Sequence, residues 1–271
     1  MHCYVDLDAV KNALGITLTT TDADLLEIIR QVSEWIDSHC GRHFYSQNGT
    51  RYFDTLRNPK AMEVDDLLSA TSLKMDSELD GTYDGETWVE NTDFWLRPNN
   101  EFPKTRVELT AFGNYVFAAR QGRYAKIVGV WGYGDGRSAT PWLTANLTVT
   151  AASAEATALT MSAAGLKAGQ TILVEDEQIF LSAMASDGKS GTGVRGQNGT
   201  TAAAHTTKNA SVALYPREVA MTARNLAAGE WVTRNLQGFE TETREGHTFT
   251  LLRKPQIVLD RALGKFVRRG V

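Results

Sequence analysis

Between Thr21 and Asp54 a strongly periodic segment stops abruptly and gives way to aromatic, strand-like sequence. Leu25, Ile28, Ile29, Val32, Trp35, Ile36 and Cys40 recur at three- and four-residue steps. That spacing lines one face of a helix and forces the face against a core, so Trp35, Ile36 and Cys40 are expected as helix-core residues. Asp22 stands where an N-cap is wanted, and Asp24 and Glu27 fall in the first turn, where the helix dipole favours negative charge. Gly41 marks the stop. It can take the left-handed cap conformation without steric cost, and Arg42 and His43 place positive charge near the open carbonyls.

A chain of 271 residues with 42% hydrophobic residues can bury a sizeable core, and two domains are the natural expectation. No apolar run reaches the roughly 18 residues that a membrane span needs, and the start lacks a basic region followed by an apolar one. The expectation is therefore a soluble chain assembled in the cytoplasm. Cys3 and Cys40 can pair in principle, but Cys40 lies on the apolar helix stripe and no disulfide framework is visible. Charge is uneven: residues 1–100 carry 18 acidic and 8 basic side chains, the rest 14 and 20. Such polarity can orient a subunit in an assembly or simply mark solvated faces.

Composition also marks a boundary. Residues 144–214 hold one aromatic side chain, Phe180, and 9 charged residues in 71. Short strand-like runs at 147–149, 158–161, 171–174 and 178–181 are separated by glycine-bearing turns. Glu175-Asp176-Glu177 reads as a solvated acidic turn. The segment is expected to be an all-β module inserted in a host domain, as exposed loops with neighbouring ends allow. The host reads as a helix at 7–14, the long helix ending at Cys40, and strands near 50–54, 70–75, 93–97, 106–112 and 125–131. A further helix opens at Pro216 and runs to about Arg234, with Val219, Ala220, Ala223, Leu226, Ala227 and Val232 as its stripe; proline suits a first helical turn.

These readings give an α+β fold class: a helical host domain, made of an N-terminal helix pair and C-terminal helices with a small β-sheet, carrying an inserted all-β module. The expected boundaries are 1–143 with 215–245 for the host, 144–214 for the module, and 246–271 for a C-terminal arm or helix.

The order of several of these elements resembles the tailed-bacteriophage head-tail connector (adaptor, or head completion) proteins. The resemblance rests on the short helix ending Gly15-Ile16, the long helix carrying Trp35-Ile36-Asp37 and ending Cys40-Gly41-Arg42, and Thr50-Arg51-Tyr52-Phe53-Asp54. Leu67-Leu68-Ser69-Ala70-Thr71-Ser72-Leu73, Thr92-Asp93-Phe94-Trp95-Leu96, Val130-Trp131-Gly132-Tyr133-Gly134 and the Pro216 helix continue it. It covers residues 4–140 and 215–235. The module departs from the simple family pattern; its Val174-Glu175-Asp176-Glu177 and the run from Val194 to His205 resemble a β module seen in phage structural proteins.

The resemblance implies a structural, non-enzymatic protein of the virion neck, at the head-tail junction. It implies a homo-oligomeric ring, a dodecamer, docked under the portal protein. Such a ring extends the DNA channel and receives a head-completion (stopper) or tail-completion protein. DNA would pass without sequence specificity, no membrane is involved, and no cofactor or metal is called for. Asp65, Asp66, Asp76, Glu78, Asp80, Asp84 and Glu86 are available to an acidic channel wall, which would repel phosphates. Candidate portal or partner contacts are Arg253, Lys254, Ile257, Arg261, Phe266, Arg268 and Arg269. In this segment 248–252 reads as an extended arm, with Leu259, Leu263 and Val267 as further apolar anchors. The alternative for the same residues is a last helix packed on its own domain.

Enzyme chemistry finds little purchase. Asp37, His39, Cys40 and His43 offer metal-ligand types, but Gly41 ends the helix before His43 and Cys40 faces the core. Neither a G-x-S-x-G elbow nor a phosphate-cradling glycine loop nor a dinucleotide fingerprint is present. The competing functional class is a β-rich surface-adhesion or carbohydrate-binding module with Trp88, Trp95, Trp131 and Trp142 as stacking platforms. Strand alternation predicts Trp95 and Trp131 in the core, which favours the connector.

Overall fold

A computed structural model describes residues 1–55, 58–111, 113, 115–118, 122–235, 241–244, 247–250 and 255–268. They fall into two compact units, one of Met1–His43 with Trp142–Val271 and one of Phe44–Pro141.

The first unit starts with α1 (Leu7–Leu14) and α2 (Asp22–Cys40). Asp6 caps α1 by accepting from the Ala9 N–H at 2.8 Å. The α2 stripe is buried as its periodicity requires: Leu25, Ile29, Val32, Ile36 and Cys40 are all inaccessible. Trp35 is not part of that core. It lies half-buried at the stripe's edge, one residue and about 100° around the helix from Ile36. Nor does Asp22 cap the helix. Thr21 is the N-cap, without a side-chain bond, and Asp22 is the first helical residue, where its carboxylate accepts from the buried Lys11 ammonium. Gly41 ends α2 at φ +62°. Inside α2, the Ser33 hydroxyl donates to the Ile29 carbonyl at 2.8 Å and accepts from the Tyr4 N–H at 3.1 Å. That relay fixes the N-terminal segment on the helix and leaves no polar group of Ser33 unsatisfied. α3 (Arg217–Asn235) packs on both α1 and α2, burying Val219, Ala223 and Ala227. Two alanines in that stripe permit close approach of the helix axes.

The second unit is a five-stranded antiparallel sheet of β1 (Gln47–Phe53), β2 (Ala61–Met75), β3 (Phe94–Arg97), β4 (Lys104–Leu109) and β5 (Ala125–Trp131), in the order β1-β5-β2-β4-β3. Its core includes Met62, Leu67, Leu73, Trp88, Phe94, Leu96, Val107, Phe117, Ile127 and Trp131. Trp131 is fully buried, as the alternation predicts. Trp95 is not. Phe94 and Leu96 take the two inward positions of β3, so the period of two turns Trp95 to the other face, where Arg97 lies 4.9 Å from its ring centroid. β2 departs from regular register against β5 at Leu67/Ser69 and again at Ala70/Ser72. These bulges bring the Ser69 carbonyl so close that a Cβ on Gly129 would lie 2.3 Å from it.

The first unit also holds β6 (Trp142–Val149), β7 (Ala158–Thr160), β8 (Thr171–Val174), β9 (Glu177–Met184), β10 (Ser190–Val194) and β11 (Lys208–Ala213), ordered β6-β11-β8-β9-β10-β7. The two end strands meet: Val149 bridges Met161, Thr150 N–H donates to Thr160 and Ser162 N–H to Thr148. The sheet thus curls toward a small barrel around Leu147, Val149, Leu159, Met161, Ile172, Val174, Ile179, Leu181 and Ala210.

The expectation of a helical host domain with a small sheet is overturned. The described chain is mostly β, two antiparallel sheets of five and six strands with only four helices. The physical reason lies in residues 44–141. β2 alone runs for 15 residues, and the strands bury enough apolar side chains on their own to form a separate core.

Candidate functional site

The C-terminal segment contains β12 (Thr241–Arg244) and β13 (His247–Thr250), an antiparallel pair, then α4 (Pro255–Leu263) and a single 3-10 turn, Gly264–Phe266. α4 packs on α3 and α2. Leu259, Leu263 and Phe266 are buried, a spacing of four and three that keeps them on one face. Beyond the turn the Arg268 N–H donates to the Cys40 carbonyl at 2.8 Å. It thereby supplies a partner to one of the open carbonyls that every helix C-terminus leaves. His39 Nε2 lies 3.6 Å from an Asp260 carboxylate oxygen, and the Lys265 ammonium is 2.7 Å from Glu218. The latter pair is solvent-exposed and contributes little to stability.

Among the candidate partner contacts, Arg261 is exposed, Arg268 is half-buried beside the α2 cap and Phe266 is buried. Ile257 lies on α4. Arg253, Lys254 and Arg269 lie outside the described residues, as do residues 251 and 252 of the expected extended arm, whose 248–250 belong to β13.

The most highly organised polar cluster lies in the six-stranded sheet, where sequence reasoning placed only a solvated turn. Glu175 and Asp176 do form the tight turn between β8 and β9, with Glu175 at φ +54°. Glu177 is different. It is the first residue of β9 and is only 1% exposed. Its carboxylate takes two bonds from the Arg195 guanidinium, Nε to Oε1 and Nη2 to Oε2, both 2.7 Å. The Gly196 and Ala203 N–H groups add bonds of 2.9 and 3.1 Å. His205 Nε2 lies 2.7 Å from Glu177 and its Nδ1 2.8 Å from Glu175. Arg195 spends its remaining donors on the Ser153, Ala156 and Ala203 carbonyls.

Burial opposes ionisation of Glu177, but Arg195, the two backbone N–H groups and His205 outweigh it and hold the carboxyl down at about 2. Glu175 is held below the ordinary range by Lys208 and His205. Every strong donor in this cluster is already matched to an acceptor within the six-stranded sheet and its loops, so its chemistry is that of a clamp on the 195–205 loop. The missed signal was contrast: in a segment, 144–214, with so few charges, a lone Arg195 and His205 flanking a glycine-rich loop need a buried counter-charge.

Other candidate chemistry is used structurally. Cys3 and Cys40 are free and buried. Burial raises the Cys3 thiol far above its ordinary range and pushes Cys40 up to about 11, so neither supplies thiolate near neutral pH. Asp37, read as a metal-ligand type, accepts from the Tyr4 hydroxyl and faces His2 Nε2 at 3.0 Å. A cavity of about 370 Å³ is walled by Cys3, Tyr4, Asp6, Thr171, Arg217 and Arg224, among others, and Asp6 is already committed to capping α1.

The acidic residues suggested for a channel wall divide. Asp66 and Asp76 are buried, Asp76 accepting from the Asp80 and Gly81 N–H groups at 3.1 and 2.9 Å. Asp65 binds Arg51 at 2.8 Å. Glu78, Asp80, Asp84 and Glu86 remain exposed on the loop after β2.

No protein-family model matches the chain, and no curated protein matches it.

Proposed function

We propose that the chain is a structural head-tail connector of a tailed bacteriophage: a ring subunit beneath the portal that extends the DNA channel and receives the next neck or tail protein. The observation that carries this reading is the assembly of α1, α2 and α3, the helical parts of the resemblance, into one packed group. α3 lies on α1 and α2 although 176 residues separate Cys40 from Arg217. The C-terminal segment returns to the same group and binds the α2 cap through Arg268, leaving Arg261 exposed beside it.

A ring subunit needs repeated modest contacts, because closure multiplies weak interfaces into a stable assembly. The exposed carboxylates Glu78, Asp80, Asp84 and Glu86 suit a wall that sheds DNA phosphates. The adhesion alternative asks for exposed aromatic platforms, whereas all six tryptophans are buried or half-buried.

The test is a binding titration with the cognate portal protein. Arg261→Glu should weaken binding at least tenfold and leave the thermal unfolding midpoint unchanged. Full binding by Arg261→Glu together with Arg268→Glu removes the C-terminal segment from the portal contact. A chain that does not bind the portal at all overturns the reading.

A further inference from the structure

The geometry points to a binding pocket for an apolar carboxylate, an acid group on a small aliphatic body, in the cavity between α3, the first residues of the chain and β8. Its volume of about 370 Å³ lies in the range of small-ligand sites. Val5, Ala9, Val212 and Met221 give it an apolar lining, into which a few polar groups are set. That is the usual composition of a site in which apolar wall supplies contact area and polar groups fix orientation.

The first polar groups are two arginines on one face of α3. Arg217, Ala220, Met221 and Arg224 all line the cavity, and steps of three and four residues place them along a single stripe. The opposite stripe of α3, Val219, Ala223 and Ala227, is buried in the helical group, so packing does not account for the cavity-facing one. Met221 stays 43% exposed there. Arg217 has no hydrogen bond or ion pair among the described residues, and Arg224 makes only long bonds to the Asn225 side chain, 3.4 and 3.3 Å. Asp6, the one acid in the wall, caps α1 and is paired with neither arginine. The start of α3, also in the wall, adds the positive end of a helix dipole. The neighbouring cavity beside α1 shows the contrast: its Lys11 and Lys167 are matched to Asp22 and Asp8.

The second observation is Thr171, the first residue of β8 and only 1% exposed. Ile172 and Val174 point into the barrel core, so the period of two turns Thr171 to the other face. The chain start covers that face: the Leu7 N–H donates to the Ala168 carbonyl at 2.9 Å, and a Cβ on Gly169 would lie 3.4 Å from the Asp6 Cα. The Thr171 hydroxyl is buried in this cavity wall without a partner among the described residues. A hydroxyl so placed costs stability until something bonds to it, and valine would fill the same space without that cost. A carboxylate satisfies all three groups at once, accepting from the arginine forks and from the hydroxyl, while its aliphatic body lies on the apolar wall. The pocket is a property of this chain alone and does not depend on the connector reading.

The experiment is methyl NMR on the full chain, following Met221 through titrations with N-acetylleucine, which mimics the end of a peptide, and with hexanoate, a free acid. At least one acid should shift the Met221 methyl saturably at millimolar concentration, and the tighter of the two identifies the source of the natural ligand. Arg217→Gln with Arg224→Gln should weaken binding about tenfold or more and leave the thermal unfolding midpoint unchanged. Thr171→Val should weaken binding yet raise that midpoint, whereas Thr171→Ser should keep binding. A residue with a merely structural role would not separate the two readouts in this way. No saturable shift with either acid overturns the pocket. So does equal binding of the neutral amides N-acetylleucinamide and hexanamide, or a response to inorganic phosphate alone.

Discussion

Arg195 holds Glu177 through two parallel 2.7 Å bonds while both side chains are almost wholly removed from solvent, 6% and 1% exposed. A buried pair of this kind adds little net stability relative to an apolar replacement of both partners, but removing one partner strands a buried charge.

Arg195→Met should therefore destabilise the protein by about 3–5 kcal/mol. Chemical denaturation monitored by circular dichroism measures it. The double variant Arg195→Met with Glu177→Leu should recover part of the loss, since no unpaired charge remains. A single variant as stable as wild type contradicts the clamp described for the 195–205 loop.

Acid should act through the same carboxylate. Glu177 is held at about 2 against an ordinary 4.5, so the unfolded chain takes up the proton first as pH falls. The stabilisation is complete above pH 4.5 and is lost progressively as pH drops toward 2, about 3 kcal/mol in all. Glu175 titrates in the same direction. Urea midpoints should fall steeply between pH 4.5 and 2.5, and less steeply in Glu177→Gln. Equal slopes in the two proteins would exclude Glu177 as the source.

Gly129→Ala tests the bulged centre of the five-stranded sheet. The added methyl would meet the Ser69 carbonyl at 2.3 Å and a Leu67 methyl at 3.2 Å, and the first of these is backbone that cannot swing aside. A loss of about 2 kcal/mol or more is expected. A neutral effect in thermal unfolding would mean that β2 and β5 do not approach so closely.

Neither thiol should react with a water-soluble disulfide reagent in the native state, because both are buried and protonated. Both should react once the chain is unfolded in denaturant. Rapid labelling of Cys40 in native protein would contradict its place under the α2 stripe.

What was legible in the sequence was local. The α2 stripe, the Gly41 stop, the Pro216 helix start and most strands follow from period, caps and turn residues, because those signals depend on near neighbours. What failed depended on partners distant in the chain. Asp22 looked like a cap, yet its carboxylate was claimed by Lys11. Trp35 and Trp95 looked like core residues, yet each sits one position off the inward face. Glu177 looked solvated because Arg195 and His205 are 18 and 28 residues away. The balance of the fold was misjudged for a related reason: helices announce themselves over a few turns, whereas a five-stranded sheet reveals its size only when separate strands are summed through their pairing.

The most direct measurement is native mass spectrometry of the purified chain, alone and with its cognate portal protein. The connector function predicts a ring-sized homo-oligomer, or a monomer that becomes a stoichiometric ring on the portal. A chain that remains monomeric and does not associate with the portal contradicts it.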